Sequence, residues 1–315
     1  MNEPYADTWA VTAYFNPARF KRRLQNYHVF RQRLTVPLVT VELSFDGSFD
    51  LRSEDADVLV QLHAGDCMWQ KERLLNIGFR HVPVSCRKVA WLDCDLIFES
   101  DDWAVRTSRA LDQYAIVHLF HERHDLPPDA LIDCPPTPNP QATAFSSIYK
   151  LETGRAAPDE LRRLGAVGAL RSTTGLAWAG RRELLEQHGL YDACIAGSGD
   201  KANACGALGR LDDAVVAHRM NSRRAEHYLA WARSFSDAVQ GAVGYVPGRV
   251  FHLWHGDLAD RRYAERPSWL EHFDPFTDIA LDASACWRWS SDKPELHSRL
   301  RRYFESRLED GRGTV

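Results

Sequence analysis

The sequence predicts an α/β fold: a mostly parallel, Rossmann-like sheet flanked by helices, with a C-terminal helical extension. Three observations predict it. Short apolar runs of strand length alternate with amphipathic segments of helix length through the first part of the chain. The segments between those runs are long enough for right-handed crossovers. One run, Lys88-Val89-Ala90-Trp91-Leu92, stops on two aspartates, Asp93 and Asp95, at a strand's carboxyl end, where open α/β sheets build their sites.

The elements follow in order. Residues 9–14 read as a first strand, closed by Phe15-Asn16-Pro17, with Asn16 the cap candidate for a basic amphipathic helix over 17–33. Residues 36–43 form a second strand, ending near Glu42, and 58–62 a third. A helix over 69–79 leads into the strand that ends at Asp93. Beyond it come a helix over 101–111 and a strand over 114–120. The six prolines in 126–140 make that stretch a loop. Residues 174–179 read as a strand and 181–188 as a helix with Gly189 as its C-cap. A glycine-rich loop, 195–200, enters a helix reaching about Leu208. Residues 213–230 are largely helical, 249–254 a strand, and 296–307 a polar terminal helix. The expected division is one large domain over 1–270, in two halves (1–125 and 126–270), and a helical extension over 271–315.

Composition narrows the function. The 315 residues are 44% apolar and 26% charged, as in an ordinary soluble domain. A net charge of −4 gives no global basic field for nucleic acid. Seven cysteines with no C-x-x-C pair, and no secretory leader at Met1, read as reduced thiols in the cytoplasm. No apolar run approaches the ~18 residues of a membrane helix. Of the ten tryptophans most belong to the core, although aromatic clefts also bind sugars or bases.

Two carboxylates one residue apart at a strand end can hold a divalent cation, and the cation a diphosphate. A second copy, Asp55-Ala56-Asp57, precedes its apolar run and therefore reads as a solvated turn at a strand's amino end. His118, His121, His124 and Asp125 form a rival zinc cluster that would suggest a hydrolase, but strand periodicity puts His118 and His121 on opposite faces.

Taken together, the strand–helix–strand order, the segment Gln70-Lys71-Glu72-Arg73-Leu74-Leu75-Asn76-Ile77-Gly78 and Trp91-Leu92-Asp93-Cys94-Asp95 resemble the nucleotide-sugar half of glycosyltransferases with the GT-A fold, of the family 2 and galactosyltransferase-like kind. Gly175-Leu176-Ala177-Trp178-Ala179, Gly189-Leu190-Tyr191-Asp192 and Gly197-Ser198-Gly199-Asp200 resemble that group's acceptor-side block. Phe251-His252-Leu253-Trp254-His255-Gly256 resembles its late metal-binding strand. The resemblance spans roughly residues 8 to 270.

It implies transfer of a sugar from a nucleoside-diphosphate sugar, UDP-linked, with Mn²⁺ or Mg²⁺. Asp93 would face the ribose and, with Asp95, form the metal-binding DxD motif; His255 and His252 would complete the ligands, unless they are a plain sheet-end pair. Thr12, Tyr14, Asn16, Glu42, Lys71 and Asn76 would line the nucleotide, and Trp178 would carry a sugar ring. Asp200 would be the general base of an inverting transfer, or a helix N-cap; a retaining reaction stays open. The family's Glu-Asp is Gly199-Asp200 here, which removes one carboxylate. The alternative reading is a non-catalytic or hydrolytic binder of nucleotide-diphosphate sugars on the same fold. The acceptor (a glycan, protein, small molecule or modified nucleic-acid base) is not legible.

Overall fold

Apolar residues on both faces of the first strand demand a central position, and β1 (Thr8–Phe15) pairs in parallel with β2 (Leu38–Ser44) on one side and β4 (Lys88–Leu92) on the other. The computed structural model describes residues 7–130, 142–157, 159–163 and 171–312. β3 (Val58–His63) extends the sheet beyond β2. On the far side of β4 lie β10 (Ala177–Arg181), β6 (Ile116–His118) and β11 (Val243–Tyr245). The order is β3-β2-β1-β4-β10-β6-β11, parallel throughout except β10, which runs against both neighbours. Strand order reverses between β1 and β4, which opens a crevice at their carboxyl ends.

Helices cover the faces. α1 (Lys21–Arg33) buries Tyr27 and Phe30, and α2 (Lys71–Gly78) packs on β1 and β2 so closely that a Cβ on Gly78 would stand 2.4 Å from Val11 Cγ1. α3 (Trp103–Gln113) precedes β6, and α5 (Arg182–His188) follows β10. A second sheet, of β5 (Leu96–Phe98), β12 (Arg249–His252), β7 (Glu122–Asp125), β8 (Thr143–Ser146) and β9 (Ser172–Thr173), lies over the end of β4. α4 (Ser147–Glu152) follows β8. α6 (Gly199–Ala207), α7 (Leu211–Ala217) and α8 (Ser222–Val239) form a further helical layer. α9 (Arg266–Trp269), the hairpin of β13 (Ile279–Leu281) and β14 (Trp287–Trp289), and α10 (Pro294–Glu305) end the chain.

Three expectations change. α1 starts at Lys21 instead of Pro17, because Arg19 adopts φ 56° and Asn16 spends its side chain on the Phe20 backbone, accepting from its N–H at 3.0 Å. The helix expected over 213–230 breaks at Arg219 (φ 45°), and Asn221 caps a new helix by accepting from Arg224 N at 2.9 Å. The segment 271–315 holds a hairpin as well as a helix. The Asp55/Asp57 pair is a turn, Asp55 accepting from Arg52 N and Asp57 from Leu38 N. Most of the proline-rich stretch and residues 164–170 lie outside the described residues.

Candidate active site and metal centre

β4 delivers Asp93 and Asp95 into the crevice. The Leu253 backbone N–H donates to Asp95 O at 2.8 Å, and β5 pairs with β12 so that His252 stands opposite Leu96. Two segments about 160 residues apart in the chain thus meet as neighbouring strands. Asp95 Oδ2 lies 3.4 Å from His255 Nε2, Asp95 Oδ1 lies 3.8 Å from His252 Nε2, and the two Nε2 atoms are 3.1 Å apart. Two nitrogens that ligate one cation at about 2.1 Å each stand about 3.0–3.4 Å apart, so the imidazoles already have ligand spacing. Asp95 Oδ1 is buried with no hydrogen-bond partner among the described residues. A carboxylate oxygen without a partner beside two imidazole nitrogens is a donor set that fits Mn²⁺ or a similar divalent ion.

The groups behind the ligands set their protonation. His252 Nδ1 lies 2.9 Å from Asp125 Oδ1. A carboxylate accepts only, so Nδ1 carries a hydrogen, which is the arrangement in which a neutral ring would offer its Nε2 lone pair toward Asp95. Asp125 is itself gripped by Arg123 and Arg171; burial would raise its pKa, but His252 and the two arginines hold it below the usual range. Burial, then the Arg261 charge, pushes His255 well below the usual imidazole range, so it is neutral. Burial also raises Asp95, opposed by His252.

Lys71, at the start of α2, stands between the two other carboxylates of the crevice. Its Nζ donates to Asp93 Oδ1 at 3.0 Å and to Asp200 at 2.8 and 2.7 Å. Burial alone would depress Lys71, but Asp200 and Asp93 hold it well above its ordinary value. Burial raises Asp200, with Lys71 pulling the other way. The chain reaches this geometry through Gly197 (φ 86°) and Ser198 (φ 69°), two consecutive left-handed residues that turn the loop into α6. Ser198 occupies the cap position, and Asp200 points its carboxylate at Lys71 instead of capping the helix. Gly175 leaves room for that carboxylate, since a Cβ there would lie 3.1 Å from Asp200 Oδ2.

Gly199, where the resembled motif has a glutamate, is filled from another element: a Cβ on it would stand 2.3 Å from Glu72 Cδ. Glu72 is buried, 3.9 Å from Lys71 Nζ, and burial pushes its carboxyl up to about 8.

A cavity of about 320 Å³ lies at the carboxyl ends of β1, β2 and β3. Tyr14, Asn16 and Glu42 line it, together with Asp50, Asp66 and Phe304. Tyr14 Oη and Asn16 Nδ2 both donate to Asp50, at 2.8 and 3.1 Å, and Glu42 accepts from the Asp50 N–H at 2.6 Å. Asp46, Asp50 and Asp66 carried no signal in the sequence, because they sit in irregular connections.

Three expected site residues are placed elsewhere, and a fourth, Asp93, stays in the crevice but outside the metal cluster. Thr12 is fully buried and donates to Leu92 O at 2.7 Å, stitching β1 to β4. Asn76 holds the Leu190 backbone at 2.7 and 2.9 Å, tying α2 to the loop before α6. Trp178 is 3% exposed, stacked on His118 and Trp91, with its Nε1 donating to Thr174 O; it offers no sugar platform. Asp93 engages Lys71 and is not in the Asp95–His252–His255 cluster.

That cluster is the one group among the described residues with metal-ligand spacing. The rival histidines do not converge: His118 is buried between Ser146 Oγ at 2.6 Å and Gly175 O at 3.0 Å, and His124 meets Thr143.

No protein-family model matches the chain, and no curated protein does. Solved structures do. The glucosyl-3-phosphoglycerate synthase from Mycobacterium tuberculosis, in complex with Mn²⁺, UDP and phosphoglyceric acid, matches at 12% identity over 90% of this chain and 86% of that one, with a TM-score of 0.44. The mannosyltransferase from Pyrobaculum calidifontis, in complex with GDP-Man and Mn²⁺, matches at 13% identity over 95% and 72%, with a TM-score of 0.42. TarS from S. aureus matches at 11% identity over 74% and 72%, with a TM-score of 0.36.

Proposed function

We propose that the chain is a metal-dependent glycosyltransferase that moves a sugar from a nucleoside-diphosphate sugar, UDP-linked, to an acceptor hydroxyl with inversion at the anomeric carbon. One observation carries the reading. The crevice between β1 and β4 holds a cation-type donor set, Asp95, His252 and His255, and a partly buried carboxylate, Asp200, pushed above its ordinary value by burial and joined to Asp93 through Lys71.

Asp95, His252 and His255 would hold Mn²⁺ or Mg²⁺. A bound cation there supplies charge stabilisation to the diphosphate as it departs. Asp93 would face the ribose, with Tyr14, Asn16 and Glu42 around the nucleoside in the cavity beside it. Asp200 takes the proton of the acceptor hydroxyl as the oxygen bonds to the anomeric carbon and the bond to the diphosphate breaks. Burial makes Asp200 a stronger base than a solvated aspartate, and Lys71 keeps it ionised and aimed. A second reading, a binder or hydrolase of the same donors, is favoured by the grip of Lys71 on both Asp200 oxygens and by the missing carboxylate at Gly199.

Calorimetric titration with UDP, GDP, CDP and dTDP, with and without Mn²⁺, tests the site. Metal-dependent binding of one nucleotide is expected, lost in Asp95→Ala. Asp200→Asn is expected to keep donor binding and lose transfer; full transfer by that variant would remove Asp200 as the base. Donor hydrolysis with no acceptor found in a screen of glycans, proteins and small molecules would favour the second reading.

A further inference from the structure

The chain after α10 returns to the loop that carries His255. Gly256 (φ 91°) lies against it so tightly that a Cβ there would stand 2.6 Å from Arg307 O. This return places Glu309, 1% exposed, behind His255. Arg23 grips its carboxylate with two hydrogen bonds, of 3.0 and 2.6 Å; Arg307 Nε donates at 2.6 Å and Arg261 Nη1 lies at 3.6 Å. Arg261 also donates to the His255 carbonyl. Glu309 Oε1 lies 3.9 Å from His255 Nδ1, the ring nitrogen facing away from Asp95.

The two histidines share an orientation but not a contact: Asp125 is within hydrogen-bond distance of His252 Nδ1, at 2.9 Å, whereas Glu309 stands 3.9 Å from His255 Nδ1, a charge beside the ring. Each turns Nε2 toward Asp95, and each has a carboxylate on its Nδ1 side, Asp125 for His252 and Glu309 for His255. Glu309 has a second effect. Without it Arg23, Arg261 and Arg307 would stand unpaired beside the ligands, and their charge would oppose a divalent cation across a poorly screened interior.

We propose that Glu309 is a positioning residue of the metal centre: its negative charge on the Nδ1 side of His255 favours the tautomer that leaves Nε2 free, and it screens the three arginines, so the C-terminal tail is a working part of the cation site. The inference rests on reading Asp95, His252 and His255 as metal ligands.

The test uses the full chain. Mn²⁺ is titrated calorimetrically into the wild type and Glu309→Gln, and both are melted in EDTA to establish folding. The expected result is a cooperatively folded variant whose Mn²⁺ affinity is lower by about tenfold or more. In the metal-free wild type, ring ¹⁵N spectra should show His255 protonated on Nδ1, a signature that general packing would not set. A folded variant with unchanged Mn²⁺ affinity would overturn the proposal. So would a wild-type His255 protonated on Nε2, a readout that holds even if the variant fails to fold. A wild type that binds no Mn²⁺ would instead bring down the ligand assignment beneath it.

Discussion

Lys71 stands within 3.0 Å of two carboxylates from different elements, Asp93 and Asp200, with its side chain 11% exposed. Replacing it by methionine leaves those carboxylates and Glu72 unpaired in a low-dielectric crevice. Carboxylates crowded there take up protons, and a protonated Asp200 is no base. Lys71→Met is expected to cost about 3 kcal/mol of stability, read by urea denaturation, and to lower transfer at least about 100-fold in a donor-consumption assay. His118 makes the opposite kind of prediction. Burial lowers its pKa from 6.5 to about 4, so the folded state favours the neutral ring. Its contribution is present above pH 6.5 and is lost as pH falls toward 4, about 3 kcal/mol in all. Denaturation of wild type and His118→Phe between pH 7 and 4.5 should show the stability gap between them narrowing on acidification.

At the scale of elements, most of the longer helices were legible and the start of α5 fell within a residue of its expected place, whereas α4, α9 and the start of α1 were not. Periodicity marks α1 through Tyr27 and Phe30, but its first turn is satisfied from the other end of the chain: Asp310 accepts from the Lys21 and Arg22 N–H groups at 3.1 and 2.7 Å. No local pattern announces a cap supplied from 288 residues away. Asp310→Ala should cost about 1 kcal/mol in a denaturant titration. The β4 carboxyl end was legible because the Asp-x-Asp follows an apolar run, whereas Asp55 and Asp57 precede theirs. The break between α7 and α8 was hidden because the flanking residues keep helical periodicity while Arg219 takes a left-handed φ of 45°.

At the scale of the molecule, the second sheet carries the consequence. It brings β12 beside β5, and with them the histidines of one segment to the aspartate of another. α10 and the tail then close over this end of the sheet, Phe304 lining the cavity at the ends of β1, β2 and β3 and Glu309 the back of His255. A ligand bridging these parts binds only the assembled fold. At a hundredfold excess over its Kd, a nucleoside diphosphate with Mn²⁺ should therefore add about 2.7 kcal/mol to unfolding, read as a rise in melting temperature over either ligand alone. No rise with both present would mean that the cavity and the cluster are not one site. Among the described residues no helix is long and apolar enough to cross a membrane.

The sequence alone determined the features that local chemistry writes: an α/β sheet from the period of its apolar runs, a carboxylate pair from its place after a strand, a late histidine pair, and Asp200 behind a glycine loop. Only the tertiary structure decided which of these groups meet. It put Asp125 and Glu309 behind the two histidines, Lys71 between Asp93 and Asp200, and Glu72 in the space left by Gly199. It also took Trp178 and Thr12 into the core. The physical reason is that a side chain's partner and burial depend on strand register and helix packing across the whole chain, which spacing along the sequence does not encode.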